Sequence, residues 1–149
     1  MTPQVRSTRA PRVARRRAVY AYAQPTPRQP ISTFSSSNVV SEARRWIGSN
    51  PTNRRSLWCG AFMNFVLERT GHHGSGSNLA RSFASYGQRL SGPQVGAIAV
   101  MGRRGGGHVG VVSGFDSTGN PIIVSGNHGH RVAESVYPRG RIYAYVMPR

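Results

Sequence analysis

The spacing of apolar residues changes near residue 95 of this chain, and that change limits the possible folds more than any other feature. Before this point apolar residues recur at the three- and four-residue intervals of helices, and after it they form short strand-like runs. The predicted helical segments are 39–47, 58–70 and a short helix or turn at 79–86, and the predicted strands are 97–101, 108–115, 121–125 and 142–147. Helices followed by an antiparallel sheet indicate an α+β fold.

Residues 1–37 differ in composition from the rest of the chain. They hold seven arginines, five prolines, no acidic residue and the run Ser35-Ser36-Ser37. A segment of this kind cannot bury enough apolar surface to fold alone. We therefore predict an Arg/Pro/Ser-rich arm at 1–37 that is disordered or ordered by a partner, and a single domain at 38–149.

The charge of the chain is strongly one-sided. Twenty basic residues, all of them arginine, stand against four acidic residues, which gives a net charge of +16. The segment 38–149 alone carries 13 arginines and the 4 acids, a net charge of +9. Such a chain attracts polyanions, which include nucleic acid, anionic cell-wall polymers and lipid headgroups. Composition does not choose among these partners.

The first 24 residues share some features with a targeting segment. Arg15-Arg16-Arg17 precedes an apolar stretch at 18–23 that contains two tyrosines and ends in an Ala-x-Ala form. A signal peptide needs a middle segment of roughly 7–15 apolar residues, so we do not expect a cleaved signal here. We also expect no transmembrane segment, because no stretch approaches the ~20 apolar residues that span a bilayer. The cellular location stays open.

Cys59 is the single cysteine of the chain. One cysteine excludes an internal disulfide and a zinc site built on several cysteines. The residue falls at the start of the predicted helix 58–70, where exposed amide groups and the helix dipole lower the pKa of a thiol. Two interpretations remain at this point, a catalytic nucleophile and a buried cysteine that fills the core.

His108 and Asn127 are the residues that could activate this thiol. His108 follows three glycines and opens a predicted strand, where it could reach the helix start as a general base. A hairpin turn at 116–120 brings the following strand back, with Asn127 opposite His108, and an amide oxygen can hold an imidazole in place. His128 is the fallback for this orienting role, although strict alternation places it on the other face of the sheet.

These segments together resemble the CHAP/NlpC-type cysteine peptidases and amidases. The likeness is carried by Trp58-Cys59-Gly60-Ala61-Phe62, Gly107-His108-Val109-Gly110 and Ser125-Gly126-Asn127, and extends over roughly 39–147. It implies a papain-like core with N-terminal helices packed on an antiparallel sheet. It also implies Cys59 as nucleophile, His108 as base, Asn127 as orienting residue, no cofactor, and peptidoglycan stem peptides as substrate.

Two positions differ from common family patterns. Ala97 stands where many relatives carry an acidic residue, and Trp58 resembles the CHAP branch more than the NlpC branch, which usually has aspartate there. The scissile bond, peptide or amide, is therefore left open. The remaining histidines do not show the defined spacing of convergent ligands that divalent metal sites usually have, so we predict no metal site.

Two functions follow. The first is a peptidoglycan hydrolase that cleaves a cell-wall amide or peptide bond through a Cys-His-Asn acyl-enzyme, as a secreted, lytic or virion-associated protein. The second is a structural or adaptor protein on the same scaffold, docked by its Arg-rich arm to nucleic acid or to a large assembly such as a phage particle.

Overall fold

The helices of this protein precede its sheet in the chain, as the apolar spacing predicts. The computed structural model describes residues 38–103 and 106–149. The segment 38–44 is helical (α1), and Cys59–Arg69 forms helix α2. Two 3₁₀ turns follow at Ala80–Ser85 and Arg139–Arg141. The predicted arm and the segment with signal-peptide features lie outside the described residues.

In the part of the chain that the structure describes, six strands form one antiparallel sheet. They are β1 (Arg89–Leu90), β2 (Ile98–Arg103), β3 (Gly106–Phe115), β4 (Pro121–His128), β5 (Arg131–Val136) and β6 (Ile142–Val146). Their order across the sheet is β1-β6-β2-β3-β4-β5. The α+β prediction is confirmed. Within the described ranges, no helix has the length and apolar character needed to cross a membrane.

Helix α2 packs on two neighbouring strands of the sheet, β3 and β4. Its buried face is formed by Cys59, Phe62, Met63 and Val66, which are spaced as one side of a helix. Each fully buried apolar side chain of this size contributes about 1.5–3 kcal/mol. The start of α2 is therefore held firmly against the sheet.

The opposite face of the sheet carries a second apolar cluster, which includes Met101, Ile123, Tyr137 and Tyr145. His108 shares this face, because it lies directly across from Met101 in the β2–β3 register. The imidazole is consequently buried beside this second cluster.

Helix α1 ends earlier than the predicted segment 39–47. The backbone N–H of Gly48 donates to Val132 O at 2.8 Å, and Val132 donates back to Ser49 O at 2.9 Å. The chain leaves the helix because these groups pair with β5 instead. Strand β5 itself and the short β1 were not predicted.

The two helices are tied together by a buried carboxylate. Glu42 of α1 accepts hydrogen bonds from Arg69 Nε of α2 at 2.6 Å and from Trp46 Nε1 at 2.8 Å. Burial would raise the pKa of Glu42, but the hydrogen bonds from Trp46 and Arg69 and the nearby arginine charges hold it below its usual value of 4.5. The carboxylate thus stays charged and paired at neutral pH.

Candidate active site

Cys59 is the first residue of α2 and is only 6% exposed. Its Sγ lies 3.9 Å from the carbonyl oxygen of Gly107, and the backbone amide of Val109 donates to the sulfur. These two groups flank His108 in β3. The structure therefore brings the thiol to the backbone of the strand segment that carries the predicted base. Among the described residues, no hydrogen bond joins the sulfur to the imidazole ring itself.

Burial raises the pKa of the Cys59 thiol above its ordinary value of 9.0. The amides of Val109, Gly60 and Cys59 and the Arg103 guanidinium act in the opposite direction but do not outweigh burial. The amide groups expected at the helix start are present. The lowered thiol pKa expected from them is wrong for this site, because the sulfur is withdrawn from water.

His108 is fully buried and contacts two hydroxyl groups. Its Nε2 lies 2.9 Å from Ser125 Oγ and 3.4 Å from Tyr137 Oη. Its Nδ1 is buried and has no hydrogen-bond partner within the described part of the chain. One ring nitrogen is therefore held by hydroxyl groups. The other is buried without a partner in the described ranges, in a ring on the face of the sheet opposite the one that α2 packs on.

The surroundings of His108 keep its ring neutral. Burial, followed by the positive charges of Arg103, His128 and Arg141, lowers the pKa of His108 to about 3. Burial thus favours the uncharged form of the thiol and of the imidazole alike. In the resting site the thiol is protonated and the imidazole is uncharged at neutral pH.

The pairing of β3 with β4 ends beside the Cys59 thiol. Its last pair is Gly110 opposite Ser125. The same register, carried two residues further, would place His108 opposite Asn127, as the sequence predicted. The described pairing does not extend that far, and backbone groups of β3 beyond Gly110 face Cys59 instead.

Strand β4 contains an irregularity at the same place. Against β5, Ser125 pairs with Ala133 but His128 pairs with Arg131, so β4 has one extra residue between the two pairs. Asn127 lies inside this bulge with a left-handed φ of 56°. A bulge breaks the alternation of side chains, so the argument that separated Asn127 from His128 by sheet face does not apply here.

Asn127 is half-buried beside the site. No hydrogen bond between described residues involves its side chain, and the partners of the imidazole are Ser125 and Tyr137. The orienting role of Asn127 stays a prediction. The ring of His128, the fallback, meets Tyr137 edge-on with centroids 6.2 Å apart.

Ser125 and Tyr137 were not among the predicted site residues. A signal for Ser125 existed, because residues 125 and 127 have the same parity in an alternating strand, so a facing argument for Asn127 applies to Ser125 as well. Tyr137 gave no such signal. It follows β5, which was not predicted, and only the tertiary fold brings it to His108.

A groove of about 1030 Å³ runs along the solvent-facing side of α2. It is bounded by the loops at 51–54 and 73–78, and Arg54, Asn64 and Arg149 are among its lining residues. Neither Cys59 nor His108 lines it. In the ranges 38–103 and 106–149 no three residues of the types His, Cys, Asp and Glu cluster as metal ligands would.

Comparison with models of known protein families shows to which family this chain belongs. A family model described as CHAP domain matches residues 50–127, just over half of the chain, and the match spans Cys59, His108 and Asn127. A search of curated proteins returned no match. The helices packed on a six-stranded antiparallel sheet agree with the papain-like fold of such domains. This chain therefore belongs to the CHAP domain family.

Proposed function

We propose that this protein hydrolyses an amide or peptide bond of peptidoglycan, with Cys59 as nucleophile and His108 as general base. CHAP domains are in general cysteine peptidases or amidases that act on peptidoglycan. One observation supports the proposal for this chain. Cys59 lies at the start of α2, and its Sγ is 3.9 Å from the carbonyl oxygen of Gly107, the residue that precedes His108. No cofactor is needed for this chemistry.

The reaction proceeds through an acyl-enzyme. The sulfur attacks the carbonyl carbon while the thiol proton passes to His108, and the resulting oxyanion is stabilised by amide groups in the first turn of α2. His108 then protonates the leaving amine as the C–N bond breaks. Water, deprotonated by the same imidazole, hydrolyses the thioester and regenerates the thiol.

The protonation states decide the order of events. A thiol with a raised pKa and an imidazole with a pKa of about 3 do not form an ion pair before substrate binds. Proton transfer therefore accompanies attack on the carbonyl. The free Nδ1 is the nitrogen available for that proton, because Nε2 is engaged with hydroxyl groups.

The sequence predicted that Asn127 orients the imidazole, and Asn127 remains a candidate for this role. Its position in the β4 bulge, next to the end of the β3–β4 ladder, supports a location beside the base. Substituting Asn127 by alanine separates an orienting role from a bystander role, because only the former changes the state of the imidazole.

The test is clearing of purified peptidoglycan by the full chain and by a Cys59→Ala variant. We expect the variant to lose roughly 10³-fold or more of the rate, because the nucleophile is removed. A His108→Asn variant should lose activity as well, whereas the matched His130→Asn change at an exposed turn position should not. Clearing by Cys59→Ala at the parent rate would show that this mechanism is wrong.

A second candidate function rests on charge. The chain carries +16, and seven of its arginines lie in residues 1–37, without any acid. A structural or adaptor protein could use such an arm to dock on nucleic acid or on a phage particle. This candidate predicts salt-sensitive binding that does not require Cys59, so the Cys59→Ala variant distinguishes the two functions.

A further inference from the structure

Two buried hydroxyl groups converge on one nitrogen of the proposed base. Ser125 Oγ lies 2.9 Å and Tyr137 Oη 3.4 Å from His108 Nε2, and the two oxygens are 3.5 Å apart. Ser125 is 1% exposed and Tyr137 is 6% exposed. Buried polar groups that meet in this way fix the geometry of the side chain they contact.

Both hydroxyl groups are themselves held in place by the fold. Ser125 forms the last pair of the β3–β4 ladder with Gly110, where an added side-chain carbon would lie 2.7 Å from Ser125 Cβ. The N–H of Tyr137 donates to Pro121 O at 3.0 Å, and the Arg141 guanidinium covers the tyrosine ring at 5.5 Å. Neither residue needs to move to reach the imidazole.

The pair also selects one form of the neutral imidazole. If Nε2 carries the proton, Ser125 and Tyr137 can accept it and Nδ1 keeps a lone pair. The other tautomer would leave a buried N–H on Nδ1 without a partner among the described residues, and buried donors without partners are rare. The hydroxyl pair thus favours the tautomer in which Nδ1 can act as a base.

We infer that Ser125 and Tyr137, rather than Asn127, are the positioning residues of His108. They hold its Nε2–H and leave the lone pair on Nδ1. This inference rests on the proposed function for its catalytic consequence. The position of the ring proton and the residues that hold it do not depend on any substrate, so they can be tested separately.

The first experiment measures the tautomer directly in the full chain. With ¹⁵N-labelled histidine, the ring nitrogens of His108 are assigned by their loss in a His108→Asn variant. We expect the parent protein to carry the proton on Nε2 at neutral pH. A proton on Nδ1 instead would overturn the inference, whether or not the protein clears peptidoglycan.

The second experiment compares matched variants. Ser125→Ala and Tyr137→Phe should each shift the His108 ring signals, lower kcat for peptidoglycan clearing by roughly fivefold to tenfold at unchanged KM, and alter its pH profile. Ser125→Thr keeps the hydroxyl and should restore most of the rate. Tyr145→Phe removes a buried hydroxyl that has no partner in the described residues and should change neither readout.

Asn127→Ala decides between the two assignments. If it shifts the His108 ring signals while Ser125→Ala and Tyr137→Phe leave them as in the parent, Asn127 is the positioning residue and the inference is wrong. Failure of the proposed function looks different, because Cys59→Ala would then clear peptidoglycan at the parent rate while the tautomer and its response to Ser125→Ala were as expected.

Discussion

At the residue scale, two opposing effects set the pKa of the Cys59 thiol. The start of α2 and the Val109 amide favour the thiolate, and burial of the sulfur disfavours it. Burial prevails, and the pKa is raised. A buried thiol at a helix start therefore behaves differently from an exposed one, and attack on substrate depends on the neighbouring base.

This difference is measurable with iodoacetamide. Because burial raises the pKa of Cys59 above its ordinary value of 9.0, the alkylation rate should still be rising steeply at pH 9 as the thiolate fraction grows. The urea-unfolded chain is the control, since its thiol should titrate near ~8.5. A rate that is already constant at neutral pH would contradict the raised pKa.

At the element scale, the site depends on the close approach of α2 to β4. A side-chain carbon on Gly126 would lie 2.6 Å from Phe62 Cβ and 2.8 Å from Trp58 Cζ3. No other residue fits between the helix start and the strand without displacing one of them. The thiol is positioned by this contact, because Trp58 and Phe62 flank Cys59 in the chain.

We expect Gly126→Ala to destabilise the fold by about 1–3 kcal/mol, as overpacking does, and to lower peptidoglycan clearing even where the protein remains folded. Denaturant unfolding measures the first effect and the clearing assay the second. Gly102→Ala is the matched control, since nothing lies within 4 Å of an added carbon there. Equal stability of the two variants would show that this approach is not tight.

The same scale shows what the sequence could predict. Helix α2, the 116–120 turn and strand β3 have local apolar or turn signals, and each was predicted close to its observed place. The β4 bulge at Asn127 has no local signal, because it forms where α2 presses on the strand and the ladder opens. The role of Tyr137 could not be predicted either, since it depends on how β5 returns to the sheet.

At the scale of the whole molecule, positive charge dominates the surface. Arg44, Arg45 and Arg69 pair with Glu134 or Glu42, while the segment 38–149 holds 13 arginines in total against 4 acids. The unbalanced charge creates a positive potential around the domain. Anionic polymers are attracted by this potential even without a shaped site.

The predicted arm should add to this attraction in a way that salt reveals. In a full chain with Arg15, Arg16 and Arg17 changed to glutamine, we expect weaker binding to a short DNA duplex. The slope of log K against log salt is negative, and its magnitude should fall by about 0.9 for each phosphate that the variant no longer neutralises. Changing the exposed Arg54, Arg55 and Arg89 instead gives the matched control for net charge.

If both triple variants bind like the parent and none responds to salt, the arm is not a polyanion-binding element. The two variants carry the same net charge. A larger decrease in the magnitude of the slope in the arm variant than in the control would therefore place the phosphate-binding arginines within 1–37.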